Sequence, residues 1–499
     1  MKKRIGMSLI ILGIISALAY ALRPMRIVST NSGEAYEEYC RGIERLYKFY
    51  FEEALTHFEK AVELDTGFAM AHCRRGCVLA SLGRIEKAKL ALAKAVELAP
   101  KTTEKEQLII AFHNAAVHCD GVQINEIMEH LVQRYPKAIE PYDFRGGEYS
   151  YQRRYQEAIN EYKRILEIDP NYALAYNKLG YAYAYLGNFD EAVTNLKKYV
   201  FLAPDQPNPH DSLGEIYLYM GRYDEAITEF NRSRQLKPDF TYATDHLGVV
   251  YRHKGMYRKA IGYFEKSLSV NTGQSFQINN LIEIARTYYE IGDYDQSLAV
   301  LEEITADSRQ LVKVNWLIGL NYIEKGAIDR ATSRKEQIKD LWSAKCEEEG
   351  IDGNDEEMSS SWEIKFFHDL SGRIEVARGV YDKAIENFEN ALYCCSAIPP
   401  EEVFARTVLA ETLFKNGETE EAIAELGEAL KINPNYYPSR YLLARIYDEQ
   451  GDLHQARTEM EKYLMIMDGC DEGIGKVEEI KKRLAELQKA LSEVRTLVE

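Results

Sequence analysis

The sequence contains no stretch of strand-period alternation, no Ser- or Gly-rich linker and no break in composition that would mark a second globular domain. The first absence argues against sheet, because a half-buried strand alternates apolar and polar residues. The other two leave its 499 residues as one continuous kind of structure. Catalytic signatures are missing as well. There is no phosphate-cradling glycine loop, no Gly-x-Ser-x-Gly elbow, no His-Glu-x-x-His pair and no dinucleotide glycine fingerprint. Positive charge is short: 62 Lys and Arg face 79 Asp and Glu, a net charge of −17. Nucleic acid is thereby disfavoured, since phosphate contacts need clustered Lys and Arg, and neutral or basic partners are favoured. The acidic run Glu347 to Glu357 lacks the alternating oxygen ligands around a central glycine that calcium needs, so it reads as a solvated loop.

What the chain does carry is a beat. Gly146, Gly180, Gly214 and Gly248 stand 34 residues apart, each followed three residues on by Tyr149, Tyr183, Tyr217 or Tyr251. A small residue comes next (Ala158, Ala192, Ala226, Ala260), then a large apolar one (Tyr162, Leu196, Phe230, Phe264). Pro170, Pro204 and Pro238 close three of these units, and Gly187, Gly221 and Gly255 mark turns inside them. A glycine inside a helix costs about 1 kcal/mol relative to alanine. Its return unit after unit therefore predicts a compensating close approach of two helix backbones, with the alanine serving that contact from the second helix. No single helix pair can cover its own apolar face, so each unit needs its neighbours.

The sequence Leu213, Gly214, Tyr217, then Ala226, Phe230 and Pro238, resembles the tetratricopeptide repeat. Tyr142 and Tyr176 stand where that family has its first aromatic, and Asn208-Pro-His-Asp-Ser-Leu-Gly-Glu215 is similar to long bacterial regions of this kind. The resemblance implies an all-α fold: a right-handed α-solenoid superhelix of about twelve helix-turn-helix units with a C-terminal capping helix. It also implies a scaffold for other proteins or extended peptides, without catalysis and without a cofactor or metal. An accessory subunit serving a separate enzyme or sensor is the second function it allows. In the family the first helices line a concave groove. By register that face carries Asn177, Tyr181, Asp211, Glu215, Tyr242, Asp245 and Arg252. This mix of aromatic and acidic groups suits an extended peptide of some basic character; the alternative is a row of solvated polar positions. Of the chaperone-type carboxylate clamp only Asn177 is present, and Lys178, Ser212 and His246 stand where the sugar-transferase repeats have an asparagine ladder.

The array is expected over 35–345, with a degenerate unit at 103–136 that keeps phase through Pro136 but loses the signature residues. The beat slips at 271–275, an acidic loop follows at 346–361, and further units fill 362–472. The final segment, 474–499, reads as a helix with Ile480, Leu484, Leu487, Leu491 and Val494 on one stripe, suited to cover the last repeat. A coiled-coil dimer is the competing reading of that stripe.

The first 26 residues read as a signal peptide or a membrane-anchor helix. Lys2, Lys3 and Arg4 precede the uncharged run Gly6 to Leu22, and 27–34 follows as a short tether. That run spans roughly 25 Å, short of a hydrocarbon core yet longer than a typical signal-peptide core. The charge bias keeps the N-terminus cytoplasmic and sends the array to the periplasmic or cell-surface side. Eight cysteines without a disulfide framework sit uneasily with export. Among them Cys73 and Cys77, with His72, share one predicted helix, and His113, His118 and Cys119 lie on the equivalent helix of the next unit. Soft metal ligation is conceivable there; small, half-buried packing residues are the expected reading.

Overall fold

The computed structural model describes residues 28–498 apart from 119, 271–272, 305–307, 350–363 and 396–398. The expected signal or anchor, residues 1–26, lies outside the described residues, and most of the acidic loop does too. No described helix is long and apolar enough to cross a membrane. Twenty-five α-helices and no strand are present among the described residues. They run as twelve hairpins, from Gly33–Tyr47 with Phe51–Leu64 to Tyr437–Glu449 with Leu453–Ile466, followed by the helix Gly475–Val498. The all-α run of helical hairpins that the resemblance implies is therefore what the described residues form. The degenerate unit is a full hairpin, Glu104–Val117 with Gly121–Arg134, and its first helix starts in a capping box between Thr103 and Glu106.

The glycine contact differs from expectation in an informative way. A Cβ placed on Gly214 would lie 2.7 Å from the Phe230 ring, and one on Gly248 would lie 2.5 Å from the Phe264 ring. Gly42 with Phe58, Gly76 with Leu92, Gly146 with Tyr162, Gly180 with Leu196 and Gly372 with Phe388 repeat the arrangement. The missing side chain thus makes room first for the large apolar residue sixteen positions on; a second-helix backbone atom comes close only at Gly76, where the Ala88 carbonyl would lie 3.3 Å from the Cβ. Bare helix backbone against a flat ring buries the ring completely: Phe58, Phe230 and Phe264 have no exposed surface. Burying a side chain of this size contributes about 1.5–3 kcal/mol, repeated in each unit.

The turns within hairpins behave as the glycines predict. Gly187, Gly221 and Gly255 have φ of +77°, +68° and +67°, the left-handed conformation that glycine adopts without strain. Phe49 (φ +62°) and Arg153 (φ +58°) fill the same turn in the first and fourth hairpins without that freedom.

The described chain forms two compact units, Met1–Gln152 with Asn160–Ala175, and Arg153–Ile159 with Tyr176–Glu499. Both are built of the same hairpin, which is why composition marks no boundary between them. In the first unit the expected tether is pinned: Ser29 donates from N and Oγ to the Glu106 carboxylate, each at 2.7 Å, and Thr30 Oγ1 donates to Asp65 at 2.6 Å.

In the second unit, late hairpins dock on the turns of middle ones. Asn435 Nδ2 donates to the Gly221 carbonyl at 3.0 Å, and Tyr223 Oη donates to the Asn435 carbonyl at 3.1 Å. The Asp471 amide donates to the Gly255 carbonyl at 3.0 Å. The Asp471 carboxylate in turn accepts the Arg258 amide at 2.8 Å, so the first turn of Tyr257–Val270 takes its anionic cap from 213 residues away. The last helix closes the array as expected: Val477, Ile480 and Leu487 are buried with Ala456, Met460 and Tyr463 of the twelfth hairpin. The side chains of Leu491 and Val494 lie outside the described residues.

Candidate functional site

The residues expected to line the groove sit on successive first helices of the second unit: Ala173–Tyr185, Pro207–Tyr219 and Thr241–His253. Five of the seven belong to one polar network. Tyr181 Oη donates to Glu215 at 2.5 Å, and Tyr219 donates to the other oxygen of the same carboxylate. Asp211 accepts from the His246 ring across 2.9 Å. Tyr242 and Asp245 lie beside them, near enough for the Asp211 charge to add to the burial that raises the pKa of both. Asn177 is buried near its start, with Oδ1 unpartnered. Arg252 belongs elsewhere, since it is buried and paired with Glu283 at 2.6 Å, with Glu290 at 3.7 Å beyond. The face therefore changes sign along its length. An acidic, tyrosine-rich stretch gives way to one holding Arg252, Arg286 and Lys313, which Glu283 and Glu290 offset.

Most of the seven residues are less open than a free groove would be. Asn177, Asp211 and Arg252 are buried, Tyr181, Glu215 and Asp245 are half-buried, and Tyr242 is 40% exposed. The protonation chemistry follows from that. Burial pushes the Asp245 carboxyl up to about 7, with hydrogen bonding to Ser267 and Asn280 and the His246 charge acting against the rise. Asp211 is also raised by burial, with His246 acting against the rise. Burial opposes the charge on His246, yet Asp211 outweighs it and the imidazolium holds to about 9. Seven residues on, His253 goes the other way: burial and the Arg252 and Arg286 charges hold it neutral down to about 3. Burial and the Glu215 charge keep the Tyr181 and Tyr219 hydroxyls protonated, so both act as donors.

Register reasoning missed Tyr219 and gave no binding role to His246. Tyr219 lies four residues past Glu215, one turn along the same face, which is the signal that could have found it. The proposed metal-type cluster comes together only in part. Cys73, Cys77 and His113 bring their ligand atoms within 4.8 Å of one another. His72 instead faces the Thr66 carbonyl, His118 bonds its own helix at Asn114, and Cys119 is outside the described residues. The six described cysteines are free thiols.

Family descriptions match much of this chain. Models described as "Tetratricopeptide repeat" match residues 70–102, 173–206, 207–240, 239–310, 370–438 and 413–472, and one described as "TPR repeat" matches 146–187. The TPR repeat-containing thioredoxin TTL4 of Arabidopsis thaliana is 31% identical over 101 residues, which is 20% of this chain and 14% of that protein. Among solved structures, the TPR protein YrrB, described as having an unusual peptide-binding site, is 20% identical over 44% of this chain and 94% of its own, with a TM-score of 0.25. Pseudomonas aeruginosa pilF is 23% identical over 41% of this chain and 92% of its own, TM-score 0.32. MamA is 24% identical over 40% and 96%, TM-score 0.24. The signature residues, the twelve hairpins among the described residues and the family-model matches together place the chain in the tetratricopeptide repeat family of protein-interaction scaffolds.

Proposed function

We propose that the protein is a non-catalytic scaffold that holds an extended, basic polypeptide segment along the first-helix face of its second unit. In this reading the N-terminal 26 residues direct the chain to a membrane and the array works on its extracytoplasmic side. One observation carries the binding role. Asp245 is a half-buried carboxylate whose ion is disfavoured by burial, beside the exposed ring of Tyr242 and within the field of Asp211. Burial leaves this ion costly even with His246 near, and a further cation beside it offsets that cost. A lysine or arginine in an extended segment supplies that cation, while Tyr242 offers a face for its alkyl stem or guanidinium. Side chains of such a segment would reach this cluster on alternate positions.

The test is a pair of labelled extended peptides of equal length, one carrying Arg or Lys at alternate positions and one carrying Glu. The full chain is expected to bind the basic peptide selectively, and Asp245→Lys to weaken that binding at least tenfold. Equal binding of both peptides, or an unaffected Asp245→Lys variant, would contradict the proposal.

A further inference from the structure

We infer that Cys73, Cys77 and His113 form a binding site for one soft monovalent metal ion, Cu(I), between the first helices of two neighbouring hairpins in the first unit. Cys73 and Cys77 are four residues apart on Ala69–Ser81, so their sulfurs leave the same face of the helix. His113 comes from Glu104–Val117, the first helix of the next hairpin. All three ligand atoms lie within 4.8 Å of one another. In a trigonal site with bonds of about 2.0–2.3 Å, ligand atoms stand roughly 3.5–4 Å apart. Small side-chain rotations close that difference without moving either helix.

The surroundings hold the imidazole in place. Phe144 meets the His113 ring edge-on at a centroid distance of 5.2 Å and stacks on Phe112 at 4.1 Å. The donor set is two thiols and one imidazole, which suits a soft cation and not magnesium or calcium. Charge then selects the valence. Arg74 lies between the two cysteines in sequence and donates to His113 Nε2 at 3.3 Å. Two thiolates, one guanidinium and a monovalent ion sum to zero, whereas a divalent ion leaves a net positive charge in a half-buried place. On loading, both thiol protons leave to solvent and Arg74 turns from the imidazole to the thiolates, freeing the ring nitrogen's lone pair for the metal.

The experiment uses the full chain under anaerobic, reducing conditions, with Cu(I) supplied from a competing chelator. One Cu(I) per chain is expected, with X-ray absorption showing two sulfur neighbours and one nitrogen. Cys77→Ser and His113→Ala should each weaken binding at least tenfold at unchanged helicity, while Cys470→Ser, at a half-buried thiol of the second unit, leaves it intact. The buried Cys73 is left alone, because its replacement perturbs the core. Undiminished binding by Cys77→Ser, all-sulfur coordination, or preference for Zn(II) over Cu(I) would each overturn the assignment.

Discussion

Two hairpins of the second unit use the same glycine in different ways. In Thr241–His253 with Tyr257–Val270, Gly248 receives the ring of Phe264 from its own second helix. In Ser308–Glu324 with Ile328–Glu349, the position sixteen beyond Gly319 is Lys335, which cannot fill a dry notch. Leu370 of the following hairpin takes the place instead, 2.6 Å from where a Cβ on Gly319 would stand. The notch is thus constant and its occupant is not. Where a repeat supplies its own ring, glycine binds the hairpin together. Where it does not, the same glycine binds one hairpin to the next.

The largest break in this comparison should come from Gly248→Val. The Phe264 ring is fully buried and has nowhere to move, so a loss of about 3 kcal/mol in urea unfolding is expected. Next comes the charge on the same regular hairpin. The folded-state pKa of His246, about 9, lies above its unfolded value, so its stabilisation is complete below roughly pH 6.5 and disappears as pH rises through 9. His246→Gln should flatten that window, on the order of 2 kcal/mol, in unfolding curves taken from pH 6 to 10.

Two turn glycines separate conformation from docking. Gly187 and Gly221 share the left-handed conformation, but a Cβ on Gly187 meets nothing, whereas one on Gly221 would lie 2.1 Å from Asn433. Gly187→Ala should cost about 1 kcal/mol, and Gly221→Ala about 1 kcal/mol more, by thermal unfolding. The smallest effect is expected at Gly319→Ala, below about 1 kcal/mol, because the methyl end of Leu370 can rotate where a buried ring cannot.

The number of hairpins, their turns and the degenerate unit were legible because each rests on local spacing. In the regular units the helix glycine acts within sixteen residues, and helix stops act within four; Gly319, filled by Leu370 of the next hairpin, was not legible in that way. The ring-filled notch was half legible: Phe230 and Phe264 stood in the pattern, but an alanine looked like the natural partner of a glycine. Asn435 and Asp471 had no signal at all, since the turns they hold lie more than 200 residues away and belong to no repeat position. The site behaved likewise. Register placed Tyr181, Asp211, Glu215 and Asp245 on one face, yet whether they stay open depends on partners such as His246 and Tyr219. Cys73 and Cys77 announced themselves by helical spacing and His113 by its place on the neighbouring first helix, whereas only the fold shows that His72 and His118 bond elsewhere.

The most direct measurement places a photo-reactive side chain at position 242 of the full chain and, as a control, at the exposed second-helix residue Phe201. With a basic extended peptide present, a cross-link is expected from position 242 alone, and it should vanish when Asp245→Lys is combined with it. Equal labelling from position 201, or labelling from 242 that survives Asp245→Lys, would show that the first-helix face of the second unit is not where this scaffold holds its partner.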